Sequence, residues 1–246
     1  MNANNSTELV SARTVVKRFG ANTVLPGVDF AVHTGEAVGI VGPNGAGKTT
    51  LLAALSGSLK LDGGAVYFKG NDVSALDAAQ RCQLGIARSH QVPRPFLGMT
   101  VFENVLTAAL HGGGFNKTEA YDRAIDAVSL CGMLPVANRR AEALGLLDRK
   151  RLELTRALAT APSLLLLDEI GGGLTDGEAT ELVATIKTLR SPQITIVWIE
   201  HIVHVLTQVV ERLVCMDAGM VIADGTAEEV FANKTVVEAY LGGHTA

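Results

Sequence analysis

The fold is decided by one glycine-rich stretch that ends in a lysine and two threonines: Gly42-Pro43-Asn44-Gly45-Ala46-Gly47-Lys48-Thr49-Thr50. It fits the pattern GxxxxGK[ST], in which a glycine-rich loop leads into a helix. Residues 37–41 before it form a short apolar run that predicts a strand, and residues 48–56 predict a helix. The pattern requires this strand–loop–helix context, so the stretch predicts a site for nucleotide phosphates.

The residue types in this loop suit phosphate binding for separate physical reasons. The glycines let the backbone wrap so that its N–H groups point inward. The start of the following helix adds roughly half a positive charge. Lys48 is predicted to reach the β- and γ-phosphates, and the Thr49 hydroxyl to bind Mg²⁺. The alternative is a glycine-rich turn that binds nothing, but the complete motif in its context favours a nucleotide site at residues 42–50.

An apolar run at residues 163–167 ends in two acids, Asp168 and Glu169. Such a run predicts a buried strand that delivers both carboxylates to the carboxyl edge of a sheet, where ligands of α/β sheets bind. Asp168 is predicted to hold Mg²⁺ through water, and Glu169 to polarise the attacking water as general base. The alternative, a strand capped by surface acids, is much weaker beside a phosphate loop.

The composition is that of a globular chain, because 48% of the 246 residues are hydrophobic and 19% are charged. A net charge of −4 argues against a surface that binds nucleic-acid phosphates.

The mean hydropathy is high, at +0.27, but the most apolar runs, residues 164–167 and 194–199, are far shorter than the ~20 residues of a membrane span. Residues 1–8 are polar and lack the pattern of a signal peptide. We therefore expect a cytosolic chain that does not cross the membrane.

Predicted strands and helices alternate along most of the sequence. Apolar or β-branched runs predict further strands at residues 9–16, 28–32, 65–69, 195–199 and 212–216. Helical spacing predicts helices at residues 77–83, 176–190 and 203–210. A turn is predicted at Pro26-Gly27. The alternation predicts a largely parallel sheet covered on both faces, and residues 101–134 predict an inserted helical section.

Two further segments establish a family resemblance: Arg88-Ser89-His90-Gln91 and Ile199-Glu200-His201. Together with the loop and the acidic pair, they show that the chain resembles the ATPases of ABC transporters almost from end to end. The resemblance implies an α/β fold of the P-loop NTPase class, with a mostly parallel sheet core, N-terminal antiparallel strands and an inserted helical subdomain. It also implies a single domain over residues 1–246, with the helical subdomain at approximately 92–155.

The resemblance implies roles for three residues outside the loop and the acidic pair. Gln91 is expected to bind Mg²⁺ and water and to sense the membrane subunit. His201 is expected to contact the γ-phosphate and to hold the attacking water. Phe19, within Lys17-Arg18-Phe19-Gly20, is expected to stack on adenine. An ordinary core phenylalanine is the alternative.

Three segments are similar to the ATPases of branched-chain amino acid importers in particular: residues 91–105, 217–226 and 237–242. In that family two ATPase subunits, identical or not, serve two membrane permease subunits and a periplasmic solute-binding protein. The resemblance therefore implies a place on the cytoplasmic face of the membrane. It also implies a docking site for a short permease helix at Pro93-Arg94-Pro95-Phe96, for which a solvated proline-rich loop is the alternative.

The sequence departs from the family where a signature close to Leu-Ser-Gly-Gly-Gln is expected, since Leu144 is followed by Gly145, Leu146, Leu147 and Asp148. In the family this motif caps the ATP of the opposite subunit with a serine hydroxyl, glycine N–H groups and a helix N-terminus. Gly145 has no hydroxyl, and Leu147 hinders close approach of the backbone. We therefore hypothesise a heterodimer with one strong and one weak ATP site, with a homodimer as the alternative.

Three other classes of protein share part of these features. A nucleotide kinase has a phosphate loop, but it needs neither the His201 segment nor an acidic pair about 120 residues beyond Lys48. A DNA-repair or translation ABC ATPase acts on nucleic acid and usually carries paired domains or long coiled-coil insertions. An ABC exporter of lipid-type substrates has similar core motifs, but residues 91–96 favour the importer. The solute stays open: branched-chain amino acids are the family default, with urea, amides and aromatic compounds as alternatives.

Overall fold

The computed structural model describes residues 7–242, and within that range no helix is long and apolar enough to cross a membrane. In chain order the strands are β1 (Glu8–Phe19), β2 (Asn22–His33), β3 (Ala37–Val41), β4 (Gly63–Phe68), β5 (Asn71–Asp72), β6 (Ile86–Arg88), β7 (Leu164–Asp168), β8 (Thr195–Ile199), β9 (Arg212–Asp217) and β10 (Met220–Gly225). The helices are α1 (Lys48–Ser56), α2 (Ala78–Leu84), α3 (Val101–Thr107), α4 (Lys117–Leu130), α5 (Leu146–Ala159), α6 (Asp176–Leu189), α7 (Val203–Leu206), α8 (Ala227–Ala232) and α9 (Lys234–Gly242). A π-helical segment, Ala108–Gly112, continues α3, and 3₁₀ turns at Leu134–Val136 and Ala141–Ala143 precede α5.

The strands form two sheets of different kinds. The larger sheet has six strands in the order β10-β9-β3-β8-β7-β6, and its neighbouring strands are parallel except for β9 and β10. The smaller sheet is antiparallel, in the order β2-β1-β4-β5. The predicted mostly parallel core with N-terminal antiparallel strands is therefore confirmed.

The central strands of the larger sheet are buried on both faces, as their uninterrupted apolar sequences predict. Successive side chains of a strand point to opposite faces, so the core has two halves. Val197 and Ile199 of β8 pack in the half shared with the small sheet and α1. Ile196 and Trp198 pack in the half shared with α3 to α6. The larger sheet is thus the middle layer between the small sheet and the helices.

The turn predicted at Pro26-Gly27 is wrong. Pro26 lies inside β2, opposite Val16 of β1, and the chain reverses between Phe19 and Asn22 instead. β2 is an edge strand of the small sheet, where proline is tolerated because its nitrogen can face away from the neighbouring strand. β1 and β2 consequently form one long hairpin.

The helical section lies between β6 and β7, and side-chain caps fix where its helices begin. Thr100 forms a capping box with Glu103 at the start of α3, and Asn116 caps α4. The predicted range of 92–155 ends inside α5, which runs to Ala159. The limits of a helical subdomain stay a prediction.

Arg81 of α2 is a buried cation that connects α2 to the helix behind the glycine-rich loop. Its side chain is only 1% exposed. The guanidinium donates to the carbonyls of Ala54 and Leu55 at the end of α1, at 2.6 and 2.9 Å, and to Leu76 at 3.1 Å. The last carbonyls of a helix lack intrahelical partners and carry partial negative charge. Arg81 therefore satisfies the carboxyl end of α1 from a neighbouring helix.

We expect Arg81→Met to lower the free energy of unfolding by about 3 kcal/mol, because several buried carbonyls lose a charged donor together. The matched control is Arg140→Met. Arg140 is exposed and pairs with Glu142 at 3.7 Å, so its loss should cost less than about 1 kcal/mol. Urea unfolding followed by circular dichroism measures both variants. Similar losses for the two would mean that the Arg81 guanidinium does not hold the helices together.

Candidate nucleotide site

The glycine-rich loop connects β3 to α1 at the carboxyl edge of the larger sheet. Gly42, Gly45 and Gly47 have φ values of +140°, +82° and +92°, which residues with a side chain rarely adopt. A Cβ on Gly42 would also lie 2.0 Å from the carbonyl oxygen of Met216. The first glycine of the loop is therefore required both by conformation and by space.

The remaining loop positions differ in exposure. Asn44 and Gly45 are exposed, Pro43 and Thr50 are half-buried, and Ala46 is buried. The middle of the loop thus faces solvent, Gly42 and residues 46–48 on either side of it are buried, and Thr49 is exposed again.

Lys48 is the first residue of α1 and is only 6% exposed. Its ammonium donates to the carbonyls of Gly42 and Pro43 at 2.7 and 2.9 Å, so the loop curls around this cation. Burial lowers the pKa of Lys48, and the nearby charges of Glu169 and Asp168 oppose that shift. A shielded ammonium at the start of a helix is well placed to pair with an anionic ligand.

Asp168 ends β7 and is only 3% exposed. One carboxylate oxygen accepts from the Thr49 hydroxyl at 3.1 Å, and the other accepts from Arg88 at 2.6 Å. Mg²⁺ prefers oxygen ligands, and Thr49 with Asp168 presents such a pair beside Lys48. Within residues 7–242 no group of three or more His, Cys, Asp or Glu side chains could hold a metal ion. A Mg²⁺ ion here would complete its shell with phosphate oxygens and water.

Glu169 lies where three loops meet. One carboxylate oxygen accepts from Nε2 of Gln91 at 2.6 Å, and the other lies 2.7 Å from Nε2 of His201. These partners are 78 and 32 positions away in the sequence. Glu169 also has a φ of +47°, a conformation that costs of order 1–3 kcal/mol and is concentrated at functional sites. The structure thus brings the predicted general base together with the two residues expected to act beside it.

Sequence reasoning gave no role to two buried charges that support this cluster. Lys150 of α5 donates to the carbonyl of Gln91 at 2.8 Å and approaches that of Glu169 at 3.5 Å. The Glu200 carboxylate accepts from the backbone N–H groups of Gly171 and His201, at 3.0 and 2.9 Å. Lys150 comes two residues after the segment at the signature position, and Glu200 comes directly before His201. This closeness to known motifs is the only local signal that points to either residue.

Phe19 is the last residue of β1. The residue is 54% exposed, and the Lys17 ammonium lies 5.3 Å from the centre of the Phe19 ring. The alternative of a core phenylalanine is therefore wrong.

The segment at the signature position starts α5. Gly145 occupies the N-cap and makes no side-chain hydrogen bond there. Leu146 is 43% exposed, and Leu147 is half-buried. Asp148 lies in the first helical turn, 3.9 Å from Arg151. The start of this helix thus presents leucine side chains and an acid instead of a hydroxyl and bare backbone.

Family models match two parts of the sequence. The model for the ABC transporter matches residues 25–171, and that for the branched-chain amino acid ATP-binding cassette transporter matches residues 220–246. The first match covers more than half of the chain, so the chain belongs to the ABC transporter ATP-binding family. The second match, to the branched-chain amino acid type, is limited to the carboxyl-terminal part of the sequence.

Curated relatives are similar in sequence to this chain along nearly its whole length. The chain is 35% identical to the high-affinity branched-chain amino acid transport ATP-binding protein LivG of Escherichia coli K12, over 96% of this chain and 99% of LivG. It is 32% identical to the probable LivG of Methanocaldococcus jannaschii, over 96% and 98% of the two chains. It is 33% identical to BraF of Pseudomonas aeruginosa PAO1, over 92% and 94%.

Solved structures show the same fold. A nucleotide-free ATP-binding cassette from an ABC transporter matches with a TM-score of 0.85 and 30% identity, over 95% of this chain and 99% of that chain. The ADP conformation of an ATP-binding cassette of an ABC transporter matches with a TM-score of 0.85 and 31% identity, over 96% and 100%. The predicted P-loop ATPase fold of the ABC type is confirmed, and with it the class of ATP hydrolase.

We expect Lys150→Met to lower kcat for ATP hydrolysis by about 10- to 100-fold with little change in KM, because the loops that hold Gln91 and Glu169 lose their shared donor. The matched control is Lys187→Met, since the Lys187 ammonium donates to Gln208 at 3.0 Å on the surface. Steady-state phosphate release measures both variants. A rise in KM alone, or an equal effect of the control, would contradict a positioning role for Lys150.

Proposed function

We propose that the chain is the ATP-binding and hydrolysing subunit of an ABC importer for branched-chain or related hydrophobic amino acids. The observation that supports hydrolysis most directly is the Glu169 carboxylate, held by Gln91 and His201 beside the glycine-rich loop. A carboxylate fixed in this way is suited to accept a proton from water. The solute class is supported by the carboxyl-terminal family match and by relatives whose names state branched-chain amino acid transport.

Each part of the site has its own task in the proposed hydrolysis. The loop backbone at residues 42–50 and the Lys48 ammonium bind and orient the β- and γ-phosphates of ATP. Thr49 and Asp168, with Gln91 nearby, would hold Mg²⁺, which would neutralise charge on the phosphate oxygens. Glu169 takes the proton of the attacking water.

Two further contacts to the nucleotide complete the proposed site. His201, which already meets the Glu169 carboxylate, orients the water against the γ-phosphate. Phe19 offers an exposed ring on which adenine can stack, with the Lys17 cation alongside.

The proposed transporter also contains a second ATPase subunit, two membrane permease subunits and a periplasmic solute-binding protein, with this chain on the cytoplasmic face of the membrane. We assign the permease contact to the segment at residues 93–96. Phe96 is 46% exposed, and the Arg156 guanidinium lies 5.1 Å from its ring centre. Phe96 borders a groove of about 300 Å³ beside α5 that a short helix could enter. A helix seated there would move with the Gln91 loop.

We expect Lys48→Ala to weaken ATP binding at least tenfold, because the phosphates lose a charged partner. Glu169→Gln should retain ATP but hydrolyse it about 10²- to 10⁴-fold more slowly, because the general base is gone. Equilibrium dialysis with labelled ATP and phosphate release measure the two effects. Lys60→Ala, at an exposed lysine, is the control. Uptake of labelled leucine that survives Lys48→Ala in cells would refute the proposed function.

We also propose that this chain pairs with a different ATPase subunit and that the two ATP sites of the dimer are unequal. Gly145 supplies no hydroxyl to a facing nucleotide. The exposed Leu146 and the half-buried Leu147 keep the backbone N–H groups at a distance. The negative charge of Asp148 in the first turn offsets the partial positive charge at the start of α5, and this weakens the attraction of that helix end for phosphate. The ATP held by the partner would therefore be capped poorly.

We expect Glu169→Gln in this chain to remove most of the ATPase activity of the purified heterodimer. The same change at the equivalent glutamate of the partner should remove much less, because the ATP at that site already turns over slowly. Steady-state phosphate release by the two singly substituted dimers measures the difference. Equal losses would show that the sites are equivalent despite the altered segment.

A further inference from the structure

A groove of about 550 Å³ lies between the helical section and the larger sheet, at the edge of the sheet away from the ATP site. Its walls come from α2, α4, the end of α5 and the turns before β7 and β8. Ser163, which lines it, precedes β7, whereas Asp168 ends that strand. At about 3.3 Å per residue the two residues lie about 17 Å apart. The volume is within the range of small-molecule sites.

Two cations and one acid line this groove: Lys69, Arg123 and Asp126. None of the three has an ion-pair or side-chain hydrogen-bond partner within residues 7–242. The two cations contact aromatic rings instead. The Lys69 ammonium lies 4.9 Å from the ring centre of Phe68, and the Arg123 guanidinium 5.4 Å from that of Phe115. The charges of these side chains are therefore available to a ligand.

Ser163 also lines the groove, but its hydroxyl is covered by the protein. It is shielded from solvent and has no hydrogen-bond partner in the described part of the chain. Gly85 opposite it has no side chain, and a Cβ placed there would lie 3.0 Å from the hydroxyl and 3.8 Å from the Lys69 ammonium. A Cβ at 3.0 Å is already a tight contact, so a carboxylate does not fit beside this hydroxyl, and the charges around the groove carry the polar recognition.

The same groove has an apolar wall. Leu84 and Leu130 line it and are 46% and 47% exposed, although large aliphatic side chains are usually covered. The buried side chains of Ala127 and Leu158 lie behind them. An aliphatic group bound here would cover both exposed leucines.

We propose that this groove binds an α-amino acid with an aliphatic side chain, for which leucine is the probe. The carboxylate would pair with Lys69 and Arg123, and the ammonium with Asp126. The side chain would lie on Leu84 and Leu130. The proposal rests on the proposed function, because such amino acids are the solutes that the importer would deliver to this side of the membrane.

Binding in this groove would regulate the ATPase. The groove has α4 and α5 on one side and the start of β7 on the other, so a ligand in it ties the helical section to the sheet. Restraining these two parts slows any cycle that moves one against the other. Accumulated amino acid would therefore reduce further uptake.

The test is isothermal titration calorimetry of the purified full-length chain with L-leucine at millimolar concentrations. Lys69→Met and Arg123→Gln are each expected to weaken binding about tenfold or more, because each removes a charged partner of the carboxylate. The matched control is Lys117→Gln, an exposed lysine on the same helix α4 that does not line the groove; it should bind leucine as the natural chain does. Isocaproate, which lacks the ammonium, and isoamylamine, which lacks the carboxylate, should each bind more weakly than leucine.

Three results would overturn the proposal. An absence of leucine binding removes the site, and binding that survives both Lys69→Met and Arg123→Gln places leucine elsewhere. Isocaproate that binds as tightly as leucine indicates a simple carboxylate site. These results are independent of the proposed transport role, because that role is judged by ATP binding and by the uptake of the Lys48→Ala variant.

Discussion

β8 lies between β3 and β7 in a single parallel sheet, and the whole nucleotide site depends on this placement. Ile199 at the end of β8 pairs with Asp168 on one side and with Ile40 on the other. Three strands therefore end at the same level, and the segments that follow them emerge side by side. The glycine-rich loop follows β3, Glu169 follows β7, and His201 follows β8. A shift of β8 by one residue would exchange its side chains between the two halves of the core and separate these segments.

The site concentrates charge in a shielded place, which is tolerable only because each charge has a partner. Asp168 pairs with Arg88, and Glu169 contacts Gln91 and His201. Lys48 differs from the others in that its direct partners are neutral carbonyls. A phosphate that approaches the loop therefore meets a cation whose charge is only partly balanced, while the acids beside it are already held in place. This difference explains how one small region can attract an anion and still contain two carboxylates.

Local sequence patterns predicted those parts of the fold and site that depend on neighbouring residues. The glycine-rich loop has its own conformational requirement, and the run that ends in Asp168 and Glu169 is apolar because β7 is buried on both faces. The family resemblance added Gln91 and His201, but their approach to one carboxylate follows only from the order of the strands.

What the sequence did not predict depends on distant neighbours. Lys150 has a role because α5 places it behind two loops, and no local pattern records that contact. Pro26 was mistaken for a turn because an edge strand tolerates proline, and the position of a strand within its sheet is a tertiary property. The groove near Ser163 combines groups from several elements, so no spacing along the chain predicts it.

Glu200 has a mechanical consequence that goes beyond its hydrogen bonds. Its carboxylate accepts hydrogen bonds from two backbone N–H groups, that of Gly171 in the segment after β7 and that of His201 in the segment after β8. Because a carboxylate is rigid and planar, a displacement of one segment pulls on the other. The backbone at Gly171 and that at His201 are thus mechanically linked, so a displacement of the segment after β7 is transmitted to His201, which contacts the Glu169 carboxylate, without passing through the sheet.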